Sequence, residues 1–163
     1  MIDAVKGFGK QDKTIVDEVI NKGKGLIVII NKWDLIKKDT HTMKSFQEEI
    51  RYQFKALDHY PILFISALTK KRIHRVLEIA LKVYSKTSQK ISTKELNESL
   101  TKILLRNPPN SEHGKQVQIK YITQVSKQPT IFALYTNYPK KIKTEYARYL
   151  ENQLRKNFDL EGV

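Results

Sequence analysis

The 163-residue sequence contains no cysteine. Disulfide bonds and thiolate metal sites are therefore excluded, and secretion is not indicated. No apolar run approaches the roughly 20 residues of a membrane-spanning helix. Residues 1–4 also lack the basic segment and the long apolar stretch of a signal peptide. We therefore expect a cytoplasmic protein without a membrane-spanning segment.

Acidic side chains are in the minority, with 17 Asp and Glu against 30 Lys and Arg, which gives a formal net charge of +13. Residues 1–84 carry 16 basic and 10 acidic side chains, and residues 85–163 carry 14 and 7. The excess is spread over the chain and favours a polyanionic partner, which could be RNA, DNA or an anionic membrane. Charge that serves solubility alone is the alternative.

Apolar periodicity divides the chain into two folded regions. Residues 1–84 alternate helices with strands that read as fully buried, which is typical of an α/β fold with a parallel sheet. A linker over 85–91 follows, and residues 92–163 predict a small α+β region of order α-β-β-α. The predicted helices span 12–21, 43–57, 72–84, the segment after Ser92 up to Pro108, and 144–157; the predicted strands span 26–30, 62–65, 117–125 and 131–136.

Some features of these helices are specific enough to test. Ser92 and Glu95 have the spacing of a capping box, in which each side chain caps the backbone of the other. The other testable feature is the set of side chains that should face the core. These are Ile73, Val76, Leu77, Ala80 and Leu81 on the third helix, and Ala147, Leu150, Leu154 and Phe158 at the last one.

Two short polar motifs follow the two buried strands of the first region. Asn31-Lys32-Trp33-Asp34 follows the strand over 26–30, and Ser66-Ala67-Leu68 follows the strand over 62–65. Ligands of open α/β sheets bind outside the carboxyl ends of the strands. Both motifs are therefore expected at the same edge of the sheet.

The residue types in these motifs suit guanine. The Asp34 carboxylate can accept hydrogen bonds from N1–H and from the exocyclic amino group, neither of which adenine offers. Asn31 can donate to N7 and join the two loops, and the stem of Lys32 can cover the ring. The backbone N–H of Ala67 can reach O6, while Ser66 holds the loop. The candidate guanine-binding residues are Asn31, Lys32, Asp34, Ser66, Ala67 and Leu68; an ordinary loop with an N-cap serine is the alternative.

The phosphate-binding half of a GTPase is not found in the sequence. No G-x-x-x-x-G-K-[ST] loop occurs, and phosphoryl transfer depends on such positioning groups. We therefore predict no catalytic residue, no GTP hydrolysis by this chain alone and poor affinity even for GDP. The four histidines are scattered, and no metal site is predicted; they are His41, His59, His74 and His113.

These motifs, with several stretches of the second region, resemble the double-Era-like GTPases called Der or EngA. The resemblance covers nearly the whole chain, and the second region is the more telling part because guanine motifs are shared by all such GTPases. The matching stretches are 2–4, 11–12, 31–35, 66–68, 96–97, 108–109, 120–125, 129–132 and 149–155.

The resemblance implies a partial P-loop GTPase domain over 1–84 and a KH-like domain over 92–163. Family members have two tandem GTPase domains before the KH-like domain, bind GTP or GDP with Mg²⁺, and act in maturation of the large ribosomal subunit. The expected partners are therefore a guanine nucleotide, the large subunit or its rRNA, and N-terminal GTPase domains that this sequence lacks. The final strand of the KH-like sheet is also expected to be missing.

The basic residues offer candidate rRNA contacts, with a solvated face as the alternative for each one. The family's KH-like domain lacks the G-x-x-G loop with which KH domains grip RNA, and so does this sequence, so that mode is not predicted. Tyr121, Tyr135 and Tyr149 could stack on bases, although core packing is the stronger expectation. The candidate contacts are Lys70, Lys71, Arg72, Arg75, Lys140, Lys141, Lys143, Arg148, Arg155 and Lys156.

Three functions remain open from the sequence. The first is part of a ribosome-assembly GTPase whose activity needs the complete protein. The second is a stand-alone, non-enzymatic module that binds RNA or the ribosome. The third is an α/β enzyme for ATP or another metabolite, in which the N-K-W-D sequence is coincidental; a preference for guanine over adenine separates the first from the third.

Overall fold

The computed structural model describes residues 1–37, 42–110 and 116–163. These residues form two compact units, one of residues 1–87 with 161–163 and the other of residues 88–160. The division between Thr87 and Ser88 falls inside the predicted linker. Residues 161–163 belong to the first unit, whereas the sequence placed them in the second domain.

The first unit contains a three-stranded parallel sheet of order β1-β2-β3, formed by Ile2–Asp3, Val28–Asn31 and Ile62–Phe64. Asp3 pairs with Asn31, and Ile30 pairs with Phe64. Three helices accompany the sheet: α1 (Lys10–Asn21), α2 (Thr42–Gln53) and α3 (Ile73–Thr87). This arrangement confirms the predicted α/β class.

Two predictions about strands and helix length are wrong. The predicted helix over 43–57 ends at Gln53, because Phe54 leaves helical geometry and a 3₁₀ turn at Lys55–His59 follows. The strands are not fully buried: β2 alternates buried and half-buried residues, and only Phe64 is buried in β3. The apolar runs of both strands therefore predicted more burial of the two sheet faces than the structure shows.

The predicted orientation of α3 is also partly wrong. Leu77 and Leu81 are 65% and 70% exposed, whereas Val83 is buried. Ile73, Val76 and Ala80 keep the half-buried positions expected for them. The helix carries apolar residues around more than half of its circumference, so periodicity alone does not select the stripe that packs.

The first core lies between the sheet and its helices, and the last residues of the chain pack onto the same unit. The Gly162 carbonyl accepts from the Leu26 N–H at 2.9 Å, and the Gly162 N–H donates to the His59 carbonyl at 2.8 Å. Its φ of +86° and the nearby Val83 side chain leave little room for a Cβ. The buried core residues are Ile2, Ala4, Val16, Val28, Ile30, Trp33, Ile50, Leu57, Tyr60 and Phe64.

The second unit has the predicted α-β-β-α order: α4 (Thr93–Arg106), β4 (Ile119–Ser126), β5 (Ile131–Thr136) and α5 (Thr144–Asn157). β4 and β5 form an antiparallel pair with two register shifts. Its core is built from α4, α5 and one face of the hairpin. The buried residues are Ile91, Leu96, Leu100, Ile103, Ile119, Ile122, Leu150, Leu154 and Leu160.

Local polar contacts fix α4. The capping box is confirmed: Ser92 Oγ accepts from the Glu95 N–H, and the Glu95 carboxylate accepts from the Ser92 N–H. Asn97 joins α4 to the sheet through both its oxygen and its nitrogen, which bond the backbone N–H and C=O of Ile122 at 3.0 and 2.9 Å. At the other end, the Tyr146 hydroxyl donates to the Asn107 carbonyl at 2.7 Å, and burial raises the pKa of Tyr146 to about 12.

Two further observations concern the helices. Ala147 is exposed rather than inward-facing, because the buried positions of α5 are Leu150 and Leu154, with Tyr146 partly covered. Among the residues that the structure describes, no helix is long and apolar enough to cross a membrane.

Candidate guanine-binding site

The two polar motifs meet at the carboxyl edge of the parallel sheet. Asn31 ends β2, and its Oδ1 accepts a hydrogen bond from the Ala67 N–H at 3.0 Å. The Trp33 N–H donates to the Ile65 carbonyl at 3.0 Å, so a second bond joins the same two loops. The adjacency of β2 and β3 thus brings together motifs that lie about 35 residues apart in the sequence.

Trp33 anchors the first motif. Its side chain is 3% exposed, and its ring lies 4.4 Å from that of Phe64 and 5.4 Å from that of Phe46. The residues that follow make one 3₁₀ turn, Trp33–Leu35, which fixes the backbone of Asp34. The sequence predicted no role for Trp33. The feature that could have revealed its role as an anchor is a large apolar side chain at the variable position of a polar motif.

Lys32 adopts a left-handed conformation, with φ 63°, and its Nζ lies 2.7 Å from Oδ2 of Asp3. The hydrogen bond to Lys32 lowers the pKa of Asp3, with help from the Val5 N–H. The same bond raises the pKa of Lys32, and the Asp3 charge adds to this shift. The contact orients the Lys32 side chain along the strand ends.

Asp3 was missed as a site residue. Its position could have been found from the parallel order of the strands, because Asp3 pairs with Asn31 and therefore ends at the same edge. The sequence alone gave no order for the strands.

The second motif is held as a closed turn. Ser66 is 2% exposed; its Oγ accepts from the Thr69 N–H at 3.1 Å, and its N–H donates to the Lys71 carbonyl at 3.2 Å. Lys70 and Arg72 both have positive φ, of 58° and 63°, so the turn is tight on both sides of Lys71. Ser66 therefore lies where it can hold the loop.

A cavity of about 270 Å³ lies beside these loops. Asp34 and Ser66 line it, whereas Asn31, Lys32, Ala67 and Leu68 do not, and Leu68 is 84% exposed. The Ala67 N–H is also engaged by Asn31, so the O6 of a base would share that donor. The lining residues are Trp33, Asp34, Phe64, Ile65, Ser66, Thr69, Lys71 and Arg72.

The basic candidates differ in how open they are to a partner. Arg155 does not fit the predicted open outer face: its side chain is 18% exposed and bonds Glu151 at 2.8 Å and the Leu160 carbonyl at 3.4 Å. Arg72 is exposed and its guanidinium reaches the Phe64 carbonyl at 3.5 Å, whereas Lys141 is half-buried and lies 5.7 Å from the ring centre of Tyr138. The remaining candidates are exposed: Lys70, Lys71, Arg75, Lys140, Lys143, Arg148 and Lys156.

Two of the three tyrosines are not core residues, contrary to expectation. Tyr121 and Tyr135 are 43% and 42% exposed, and their rings stack on each other. Tyr149 is half-buried and packs against the second core. The strand alternation that buries Ile119 and Ile122 is interrupted by a register shift beside Tyr121, which the sequence did not reveal.

No group of three potential metal ligands occurs among the described residues. His59 and His74 belong to separate elements, the 3₁₀ turn before β3 and α3. His41 and His113 lie outside the described residues.

Comparison with known families assigns both parts of the chain. Residues 1–86 match the family model of the elongation factor Tu GTP-binding domain. Residues 90–163 match the C-terminal KH-domain-like family of EngA bacterial GTPases. The two matches agree with the two compact units, apart from the last three residues.

Curated relatives named GTPase Der match the whole chain. GTPase Der of Amoebophilus asiaticus is 45% identical over all 163 residues of this chain, which cover 38% of that protein. GTPase Der of Chlorobium phaeobacteroides is 42% identical with the same coverage, and that of Caldanaerobacter subterraneus is 42% identical with 37% covered. The chain thus spans a little over a third of the length of the relatives it matches.

Among solved structures, a crystal structure of Aquifex aeolicus Era bound to GDP and AlF₄⁻ aligns with a TM-score of 0.44 and 19% identity. The alignment covers 98% of this chain and 59% of that one. The family assignment rests on the sequence matches instead. With a first unit that matches the elongation factor Tu GTP-binding domain and a second unit that matches the EngA KH-like domain, the chain belongs to the Der, or EngA, family of GTPases.

Proposed function

We propose that the first unit supplies the base-recognising part of a guanine nucleotide site. The observation that carries the proposal is the hydrogen bond between Asn31 Oδ1 and the Ala67 N–H, which sets N-K-W-D and S-A-L side by side. Asp34 lies at the same edge, lining the adjoining cavity, and offers the carboxylate that guanine's N1–H and amino group require. Lys32, Ser66 and Leu68 complete the two loops.

Phosphate binding and hydrolysis are assigned to the complete protein. This sequence has no phosphate loop, so GTP hydrolysis and Mg²⁺ binding require further chain. The N-terminal GTPase domains found in longer family members are the proposed source. By itself the chain is expected to bind guanine weakly and to hydrolyse nothing.

We further propose that the protein acts in biogenesis of the large ribosomal subunit and binds its rRNA. The support is the family assignment together with the net charge of +13. Exposed lysines and arginines at the start of α3 and before α5 are the candidate phosphate contacts. Arg155 is left out of this set because its contacts with Glu151 and Leu160 occupy it.

Base specificity can be tested on the full chain with Asp34→Asn. An amide at this position accepts from N1–H but donates toward position 2, which suits the carbonyl of xanthine better than the amino group of guanine. Ligand-observed NMR with GDP, XDP and ADP should show preference for GDP in the wild type and for XDP in the variant. Asp17→Asn, an exposed change on α1, is the matched control.

Equal binding of GDP and ADP by the wild type would contradict the guanine assignment. That result would favour an α/β enzyme for ATP or another metabolite, in which the two loops have only a structural role. An unchanged preference in Asp34→Asn would likewise remove Asp34 from the site.

Ribosome binding can be tested by co-sedimentation with separated bacterial subunits. We expect the chain to pellet with large subunits, and to be released by salt in proportion to the number of phosphate contacts. Replacing Lys70, Lys71 and Arg75 by Gln should lower the salt dependence. Equal pelleting with both subunits would contradict the large-subunit assignment, and no pelleting would contradict rRNA binding altogether.

A stand-alone RNA-binding module is the second candidate. The net charge of +13 supports it, since a polyanion such as RNA is attracted by such a surface. It predicts ribosome binding by the wild type that is unaffected by GDP, together with no measurable guanine preference. A guanine preference in the NMR experiment would exclude it.

A further inference from the structure

The β4–β5 hairpin displays a pair of stacked aromatic rings on the side away from the second core. Tyr121 and Tyr135 are partners in the antiparallel ladder, with ring centres 4.1 Å apart and planes inclined by 10°. Both side chains remain more than two-fifths exposed. Ile119 and Ile122 of the same hairpin are buried in the core. The ring pair therefore belongs to the solvent-facing surface of the sheet.

Aliphatic side chains extend this surface along the hairpin. Ile131 is 45% exposed, and strand alternation places it on the face of Tyr135. Val125 lies at the register shift between Gln124 and Ser126, and its 56% exposure places it on the same solvent-facing side. Four apolar or aromatic side chains thus share one exposed face, which is more than an isolated surface hydrophobe. We call this set of Tyr121, Tyr135, Val125 and Ile131 the tyrosine face.

The segment that carries the tyrosine face has charged side chains of one sign only. Residues 113–144 contain six lysines and no aspartate or glutamate. Lys120 immediately precedes Tyr121, Lys127 lies between the two strands, and Lys140 follows β5; all three are exposed. A polyanion can therefore approach the hairpin without meeting a carboxylate from this segment.

Exposed aromatic rings beside lysines match the chemistry of single-stranded nucleic acid. Unpaired bases stack on aromatic side chains, while phosphates are neutralised by neighbouring cations. Bases in a duplex already stack on each other and offer no free face. We propose that the tyrosine face binds single-stranded RNA, with bases stacked on the Tyr121–Tyr135 pair and phosphates at Lys120, Lys127 and Lys140.

This inference depends on the proposed function only in taking the nucleic acid to be RNA. It needs neither the guanine site nor the ribosomal subunit, so it can fail or succeed independently of both. It also differs from the usual KH mode, because that mode uses a G-x-x-G loop that this sequence lacks.

The first experiment measures RNA affinity of the full chain by fluorescence anisotropy. The probe is a labelled single strand of about 10 nucleotides, within the usual span of such sites. Tyr121→Leu and Tyr135→Leu should each weaken binding about tenfold, and Tyr121→Phe, which keeps the ring, should retain most of the affinity. Tyr52→Leu is the matched control, since Tyr52 is 84% exposed on α2.

Folding of the hairpin must be checked in each variant. The Ile122 N–H donates to Asn97 Oδ1 between β4 and α4, so its hydrogen exchange reports whether the hairpin is in place. Retained protection at Ile122 with lost RNA affinity supports the proposal. If the Ile122 amide loses protection in a Leu variant, Tyr121→Phe and the next experiment test the proposal instead.

The second experiment separates stacking from charge attraction. A 2-aminopurine in the RNA should lose fluorescence when it stacks on the wild-type chain, and a duplex of the same sequence should bind more weakly. Lys120→Gln should reduce the slope of affinity against salt, whereas Tyr121→Phe should leave that slope unchanged.

Unchanged 2-aminopurine fluorescence on binding would overturn the proposal, as would equal affinity of the Leu variants and the wild type. Both results would mean that lysines alone hold the RNA. Absence of RNA binding would overturn it as well and would leave a protein partner as the occupant of this face.

Discussion

The ion pair between Asp3 and Lys32 links the first strand of the sheet to the N-K-W-D motif. Its Oδ2–Nζ distance is 2.7 Å, and the pKa of Asp3 is lowered while that of Lys32 is raised. Because the folded-state pKa of Asp3 lies below 3.8, the stabilisation is present above pH 3.8 and is lost as the pH falls through the lowered pKa. For Lys32 the stabilisation is fully present below pH 10.5 and is lost as the pH rises through its raised pKa.

Asp3→Asn should therefore destabilise the first unit slightly at neutral pH and not at all in strong acid. The measurement is the difference in melting temperature between wild type and variant across this range, with Asp17→Asn as a control that should show no such trend. A difference that persists well below pH 3.8 would mean that Asp3 acts by packing or by its bond to Val5.

At the same scale, the sequence predicts the polar residues of the candidate guanine site but not the residues that support them. Asn31, Asp34 and Ser66 follow from the chemistry of base recognition. Asp3 and Trp33 depend on which strands are neighbours and on which ring fills the space behind the motif, and both are properties of the assembled sheet. The hydrogen bond from the Ala67 N–H to Asn31 is likewise visible only in the folded chain.

The orientation of α3 shows what periodicity leaves undecided at the level of an element. The helix presents Leu77 and Leu81 to solvent and buries Val83. Its apolar residues recur on two overlapping stripes, and only the contacts of the folded chain, such as those of Val83 beside Gly25 and Gly162, select one of them. The existence and order of the helices were thus predictable, whereas the side that a helix turns toward the core was not. The exposed Ala147 on α5 is a second example.

Substitutions on α3 test this orientation directly. Leu77→Gln and Leu81→Gln should each change the free energy of unfolding by less than about 0.5 kcal/mol, because both side chains are exposed and Gln is a good helix former. Val83→Ala should cost roughly 2 kcal/mol, since it removes two buried carbons and leaves a cavity. Urea unfolding followed by circular dichroism measures all three; a larger cost for the leucine variants would reverse the assigned facing.

At the level of the whole molecule, the chain returns to its first unit after completing the second. Residues 161–163 cluster with residues 1–87, and Gly162 bonds Leu26 and His59 through its backbone. The sequence suggested a simple division into two consecutive segments, because nothing local marks Gly162 as part of a distant unit. Its positive φ and its closeness to Val83 are visible only in the folded chain.

The role of Gly162 can be isolated by comparing two glycines of similar backbone conformation. Gly162 has φ +86° and a Cβ there would lie 2.6 Å from Val83 Cγ2, whereas Gly7 has φ +74° and no atom within 4 Å of such a Cβ. Both Gly→Ala variants strain the backbone, but only Gly162→Ala adds a clash, so it should cost about 1–3 kcal/mol more than Gly7→Ala.

Unfolding of the two variants can be followed by hydrogen exchange at the Leu26 amide, which donates to the Gly162 carbonyl. Loss of protection there in Gly162→Ala, with the Ile122 amide of the second unit unaffected, would show that the chain end stabilises the first unit alone. Combining Gly162→Ala with Val83→Ala should recover part of the clash cost, because the obstructing methyl groups are gone. Equal losses of stability in Gly7→Ala and Gly162→Ala would instead mean that a Cβ at position 162 does not clash with Val83. The positive φ alone would then account for the cost at both glycines.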